Sequence, residues 1–370
     1  ANAISTMGQL SLLLCFYSVL LLASPALSLM LPAEKETIIS ILAEKGPFES
    51  EEDETACREL IEELTPEQLE TAAKSSHAYW LTTVHNDILI DNGESESDDP
   101  PSSLNGTKIK DQFAMREARR HYIGENRNFD NALKSLQEAI SYRDEYKIDL
   151  IRYIQKANNL DNTALSSDEK EIVRRYRSYV EDEFGKQVTV SGGLDKENAA
   201  VTIRFSRTNA ETDPDAFMVT QLYIADRACA ATEFFSRGKS EKVVAITEYG
   251  DYVSSNAPPI FTLKQSITKL QRMFPERLKK MVLTDPPFWM RALYSMLYPL
   301  LAQTTKDKIS MTLGPQEKEQ TLTELIDVES SLPLIQVDEN WSISSDDIDI
   351  EQYLNQSMHH THMPIIPCTP

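Results

Sequence analysis

The chain has 370 residues, 41% of them hydrophobic and 8% aromatic, enough for one sizeable domain with appendages or for two domains. Its 37 basic and 58 acidic residues leave a net charge of −21, which argues against nucleic acid as a partner, because that needs a basic footprint. The same balance argues against strong, non-selective attraction to anionic membranes.

The acid is concentrated. Residues 31–104 hold 19 acidic and 4 basic residues, and residues 338–351 hold 6 acidic and none basic. The remainder is balanced, so a near-neutral module carries two acidic flanks. Cys15, Cys57, Cys229 and Cys368 fit neither a zinc pattern nor a redox pair, and no disulfide framework follows from them.

In chain order, residues 10–22 are an apolar run followed by the small residues Ala26-Leu27-Ser28. This reads as a secretory signal peptide over residues 1–28, with an uncleaved anchor or a start at Met30 as rivals. A used signal implies the secretory pathway or an endomembrane lumen; otherwise the chain is cytoplasmic and peripheral to membranes. Residues 29–104 read as an acidic helical appendage and linker, with helices over 34–45, 51–63 and 66–75 and a Ser/Asp/Glu-rich linker over 91–105. Flanks this acidic are expected to be solubilising or disordered, the alternative being a protein partner for the appendage.

Residues 105–165 form a helical region. There Phe129, Ala132, Leu133, Leu136, Ala139 and Ile140 recur on one helical face. From 166 to 337, helices alternate with short apolar strands. Helices are expected to about Phe184 and over 214–235, 259–274, 286–302 and 315–328. Strands are expected over 199–205, 242–247, 281–284 and 309–313. This alternation predicts an α/β fold with a mostly parallel sheet covered by helices, preceded by an all-helical N-terminal region. Residues 338–370 read as an acidic, polar tail with little fixed structure.

Catalysis has little support. Ser191-Gly192-Gly193 reads as a turn rather than a phosphate loop, and no nucleophile elbow occurs. His359, His360 and His362 cluster in the polar tail. No metal site or cofactor is expected.

The most informative stretch is 271–310. A charged helix end, Phe274-Pro275-Glu276-Arg277-Leu278-Lys279-Lys280, leads into a strand, and Asp285-Pro286-Pro287 opens a helix with Arg291 as its one charge. Phe288, Trp289, Met290, Leu293, Met296, Leu297 and Leu300 leave that helix without a polar face. It must be buried on nearly all sides or face something apolar outside its own core. Thr305-Lys306-Asp307-Lys308-Ile309 follows.

This order resembles the CRAL-TRIO lipid-binding domain family, that of phosphatidylinositol transfer proteins. A Phe-Pro-Glu-Arg-Leu motif, a strand, a Pro-containing apolar helix and a Thr-x-x-Lys-Ile turn recur there. Arg127-Asn128-Phe129-Asp130 is similar to the family's N-terminal region. The resemblance implies an apolar lipid pocket between sheet and helices, with the apolar helix and its seven large side chains as gate and lining. It implies headgroup contacts at Arg127, Glu276, Thr305 and Lys308. The implied ligand is a single phospholipid, phosphatidylinositol or another amphiphile, exchanged at a transient membrane surface without chemistry. A ligand-free scaffold for protein partners is the rival, and a lipid hydrolase using Ser295 or His121 has no support.

Overall fold

The computed structural model describes residues 32–44, 48–84, 106–154, 160–161, 163–186, 188–206, 213–250, 252, 254–300, 306–326, 336–337 and 343–344. The expected signal segment, the 91–105 linker and most of the tail lie outside these residues.

Among the described residues, eight helices precede the sheet: α1 (Pro32–Ala43), α2 (Glu51–Glu62), α3 (Pro66–Ala73), α4 (His77–Val84), α5 (Gly106–Gly124), α6 (Phe129–Glu145), α7 (Ile148–Ile151) and α8 (Ser167–Gly185). Local chemistry sets several of their starts. The Ser50 hydroxyl accepts from the Asp53 amide at the head of α2. Thr65 and Gln68 form a reciprocal capping box on α3, with Pro66 in its first turn. Asn128 caps α6, and Ser166 with Glu169 caps α8.

The acidic flank is more than a solvated segment. Ile38, Ile41, Leu60, Trp80 and Leu81 are buried in one core with Phe113, Ala118, Ala132 and Leu136 of α5 and α6. The appendage and the helical region after it are therefore a single packed layer, which corrects the expectation of a disordered flank for residues 48–84. Acidic side chains remain on the outer faces of α2 and α3, where water solvates them.

The sheet follows: β1 (Thr189–Leu194), β2 (Ala200–Phe205), α9 (Pro214–Phe235), β3 (Val243–Glu248), α10 (Ile260–Met273), β4 (Leu278–Thr284), α11 (Phe288–Leu297), a 3-10 turn (Tyr298–Leu300), β5 (Ile309–Thr312) and α12 (Pro315–Leu325). The strand order is β1-β2-β3-β4-β5, with β1 antiparallel to β2 and the other pairs parallel. The mostly parallel sheet expected from the alternation is present.

Three expectations need correction. The Gly192-Gly193 stretch belongs to a strand, β1, whose register against β2 shifts between Ser191 and Leu194; an irregular edge strand hides its period. Leu278, Lys279 and Lys280 are strand, not helix end. Pro275 and the left-handed Glu276 (φ 54) stop α10, and Lys279 meets Asp195 at 2.6 Å. Finally, Gln336–Val337 pairs antiparallel with Ile343–Ser344 as β6 and β7, so the start of the tail has local structure.

One sheet face is closed. Val201, Ile203, Phe205, Val244, Ile246 and Val282 pack with Met218 and Leu222 of α9, Val180 of α8 and Leu322 of α12. The alternation of side chains along strands sends Thr202, Arg204, Ala245, Thr247, Met281, Leu283, Ile309 and Met311 to the other face. Apart from the buried Leu283, that second face is only half-buried, although most of it is apolar.

Candidate functional site

Glu276 and Lys308 stand at the starts of neighbouring parallel strands. Glu276 lies in the turn before β4, and Lys308 immediately precedes β5, where its carbonyl accepts from the Met281 amide. Their side chains form an ion pair of 2.8 Å, each mostly shielded from water. Two distant motifs of the sequence thus converge on one edge of the sheet.

Arg127 is directed elsewhere. Asn126 and Arg127 are both left-handed (φ 54 and 60) in the turn between α5 and α6. A Cβ on Gly124, at the end of α5, would meet the Pro275 Cβ at 3.9 Å, so this turn abuts the Glu276 turn. The Arg127 guanidinium nevertheless forks onto Asp53 at 2.9 and 3.1 Å and onto Glu49 at 2.6 Å. Its charge is shared with two carboxylates beside and within α2. Thr305 lies outside the described residues.

The apolar helix begins after Asp285, which holds Lys318 at 2.5 Å and accepts from the Gly314 amide at 2.8 Å. Phe288 is 78% exposed and Met296 71%, while Met290 is half-buried. The backbone of Trp289, Leu293 and Leu297 is helical and that of Leu300 lies in the 3-10 turn; their side chains are outside the described set. With Phe288 and Met296 facing outward, α11 is not buried on nearly all sides. Pro299 lacks the amide needed to continue an α-helix, and the last turn tightens to 3-10.

Two features escaped the sequence reading. Ile260 and the 68%-exposed Phe261 open α10, where two large apolar residues directly after Pro258-Pro259 were the available signal. A buried charge cluster joins the helical layer to the sheet. Arg116 and Arg120 both reach Glu241, at 2.9 and 2.8 Å, and Arg120 also pairs with Glu117. Arg116 further donates to the Gly238 carbonyl at 2.9 Å. Gly238 is left-handed (φ 77), and a Cβ there would press on Ile41 Cγ2 at 3.3 Å. The turn after α9 thereby closes against α1 as well as α5. Cys57 and Cys229 are buried free thiols, and burial pushes Cys57 up to about 12, which makes it a poor nucleophile at neutral pH. Among the described residues no cluster of metal-ligating side chains occurs, and no helix is long and apolar enough to cross a membrane.

Comparison with known proteins adds a family. The CRAL/TRIO domain matches residues 185–332. Over 227 residues the chain is 27% identical to the phosphatidylinositol transfer protein PDR17 of Saccharomyces cerevisiae, a match covering 59% of this chain and 57% of that protein. The chain thus spans little more than half the length of this relative. Among solved structures, the crystal structure of Sfh5 superposes with a TM-score of 0.44 at 12% identity, covering 72% of this chain and 81% of that one. The family match spans the sheet, the apolar helix and the Glu276–Lys308 pair, and the chain carries a CRAL/TRIO domain at residues 185–332.

Proposed function

We propose that this protein binds one phospholipid or similar amphiphile against the second face of its sheet and exchanges it at membranes. The observation that carries the reading is the occurrence together of an apolar sheet face, Ala245, Met281, Ile309 and Met311 half-buried around the buried Leu283, and an apolar helix on which Phe288 and Met296 face outward. A chain segment of about ten methylenes gains roughly 8 kcal/mol on leaving water. A carrier therefore has to offer an apolar floor and a door that trades protein contacts for bilayer contacts. The sheet face supplies the floor, and α11 is the gate that swings open on the membrane.

Lys308, oriented by Glu276, is assigned to the ligand's polar end, with Thr305 as a hydroxyl donor and Arg127 as a second cation. Because Asp53 and Glu49 already share Arg127, this end of the site carries less positive charge than its residue types imply. PDR17 is named as a phosphatidylinositol transfer protein, which supports phosphatidylinositol as the first ligand to try. The exchange is non-covalent.

Native mass spectrometry of the full chain, followed by solvent extraction, tests the reading. A bound lipid near one per chain is the anticipated result. A clean apo mass that persists after incubation with mixed-lipid vesicles would overturn the carrier reading and leave a protein-binding scaffold.

A further inference from the structure

The exposed apolar side chains of α10 are unexplained by a gate made of α11 alone. Glu248 at the end of β3 pairs with Thr284 at the end of β4, so both strands leave the sheet at one edge. The 14 residues of α10 span about 21 Å and return the chain to the start of β4, which puts its first turn back at that exit edge. The first turn of α11 rises from the same edge, four residues after Thr284. Two helix starts, one bearing Ile260 and Phe261 and the other Phe288, therefore lie toward the same edge of the sheet.

Each apolar start has a cation one turn behind it. Lys264 follows Phe261 by three residues, and the Arg291 guanidinium lies 5.6 Å from the Phe288 ring centre. The far end of α11 repeats the arrangement, with the Lys306 ammonium 4.7 Å from the Tyr298 ring. Among the described residues no carboxylate pairs with Lys264, Arg291 or Lys306. Farther along α10, by contrast, Lys269 and Arg272 are both held by carboxylates. Residues 254–275 and 286–306 contain no acidic residue, in a chain of net charge −21. Exposed apolar rings backed by unpaired cations are the chemistry of an anionic lipid interface, where the ring enters the headgroup layer and the cation meets phosphate.

We propose that the first turn of α10 is a second membrane anchor, in which Ile260 and Phe261 insert beside α11 and Lys264 meets anionic headgroups. The domain then docks by two helix starts, at a surface free of acidic residues in a chain whose net charge is −21. This deepens the carrier reading by naming the surface on which exchange takes place.

The test uses the full chain, vesicles of phosphatidylcholine with and without phosphatidylserine, and the variants Ile260→Ser/Phe261→Ser and Lys264→Glu. Co-sedimentation reads docking, native mass spectrometry reads bound lipid, and thermal melting checks the fold, which substitutions at exposed positions should leave intact. The double variant should lose at least roughly tenfold in vesicle partition. Lys264→Glu should lose about fivefold or more on the phosphatidylserine vesicles alone. Both variants should keep the wild-type content of bound lipid. Wild-type partition by the double variant overturns the anchor, as does a wild-type chain that ignores both vesicles, which would give the patch to a protein partner. An apo wild-type chain whose vesicle binding still falls in the variants would refute the carrier and leave the anchor standing.

Discussion

At the scale of single residues, buried charges decide how the protein responds to acid. Burial alone pushes the Glu117 and Glu241 carboxyls up, but Arg120, with Arg116 beside Glu241 and Arg143 beside Glu117, outweighs it and holds both well below the usual carboxylate range. Their stabilising contribution is complete above the unfolded value of about 4.3 and is lost as the pH falls below it. His121 behaves differently. Burial holds its imidazole below the ordinary value, against the pull of Glu117. Below about 6.5 the unfolded chain takes up a proton that the folded chain refuses, so stability falls there too. Thermal midpoints should therefore decline in two stages, below about pH 6.5 and again below about 4.3. His121→Gln should flatten the first stage. Glu241→Gln should cost about 3 to 5 kcal/mol at neutral pH, because it leaves two buried guanidinium groups short of a partner, and should weaken the second stage. Stepped-pH melting curves that stay flat from pH 7 to 5 in the wild type would refute the His121 assignment. Lys308 calls for the opposite pattern, a small cost to the fold and a large one to the ligand. Its pair with Glu276 is partly accessible, so Lys308→Met should lower stability by about 1 kcal/mol or less. Extraction of bound lipid from that variant should show depletion of anionic species, and an unchanged lipid profile would remove Lys308 from the headgroup site.

At the scale of elements, α9 joins the two cores. Its Met218, Val219 and Leu222 sit in the sheet core, while Phe234 packs on the helical core. Near its end Glu233 caps α4 from outside, with one carboxylate accepting from the amides of His77 at 2.8 Å and Ala78 at 3.2 Å and from the Ser76 hydroxyl. These amides are buried orphan donors of a helix start, and the charge opposes the positive end of the helix dipole. Glu233→Ala should cost about 2 to 3 kcal/mol, read as a shift in the urea midpoint with an unchanged slope. A loss under about 0.5 kcal/mol would mean that the cap contributes only geometry. Such long-range partners explain which elements were legible in the sequence. The 214–235 helix stood out by its Asp213-Pro214 start and its Arg237-Gly238 end, and β2 and β3 by short apolar runs bounded by polar residues, all of them local signals. The helix α4 did not, since it is only eight residues long and buried from His77 through Thr82, with no polar face to phase it. The first half of β4 was hidden by Lys279 and Lys280, because the pairing of Lys279 with Asp195 arises only once β1 and β2 are in place. The candidate site divides in the same way. Glu276 and Lys308 could be matched by motif and are in contact, whereas the capture of Arg127 by Asp53 spans 74 residues and leaves no local trace.

At the scale of the whole molecule, the acidic N-terminal flank is structural, and this changes how the protein can be dissected. Ile38, Ile41, Leu42, Leu60, Ile61, Tyr79, Trp80 and Leu81 are all buried, most of them against α5 and α6. At about 1.5 to 3 kcal/mol for each large side chain, their burial represents on the order of 10 to 20 kcal/mol gross. That matches or exceeds the net stability of about 5 to 15 kcal/mol typical of a folded chain. Removing them would also strip partners from groups that remain. Glu233 would lose the amides it caps, Arg120 would lose the Ser75 hydroxyl at 3.0 Å, and Arg152 would lose the Lys74 carbonyl at 2.7 Å. Phe113 and Leu136 would face water. A chain beginning at residue 105 should therefore lack a cooperative melt and expose apolar surface to a hydrophobic dye, although it contains every residue of the CRAL/TRIO domain. A cooperative melt within a few degrees of the full chain would show instead that the helical layer is a separable module. The distinction governs every ligand experiment, since lipid lost from a truncated chain would report an unfolded helical layer rather than an empty site.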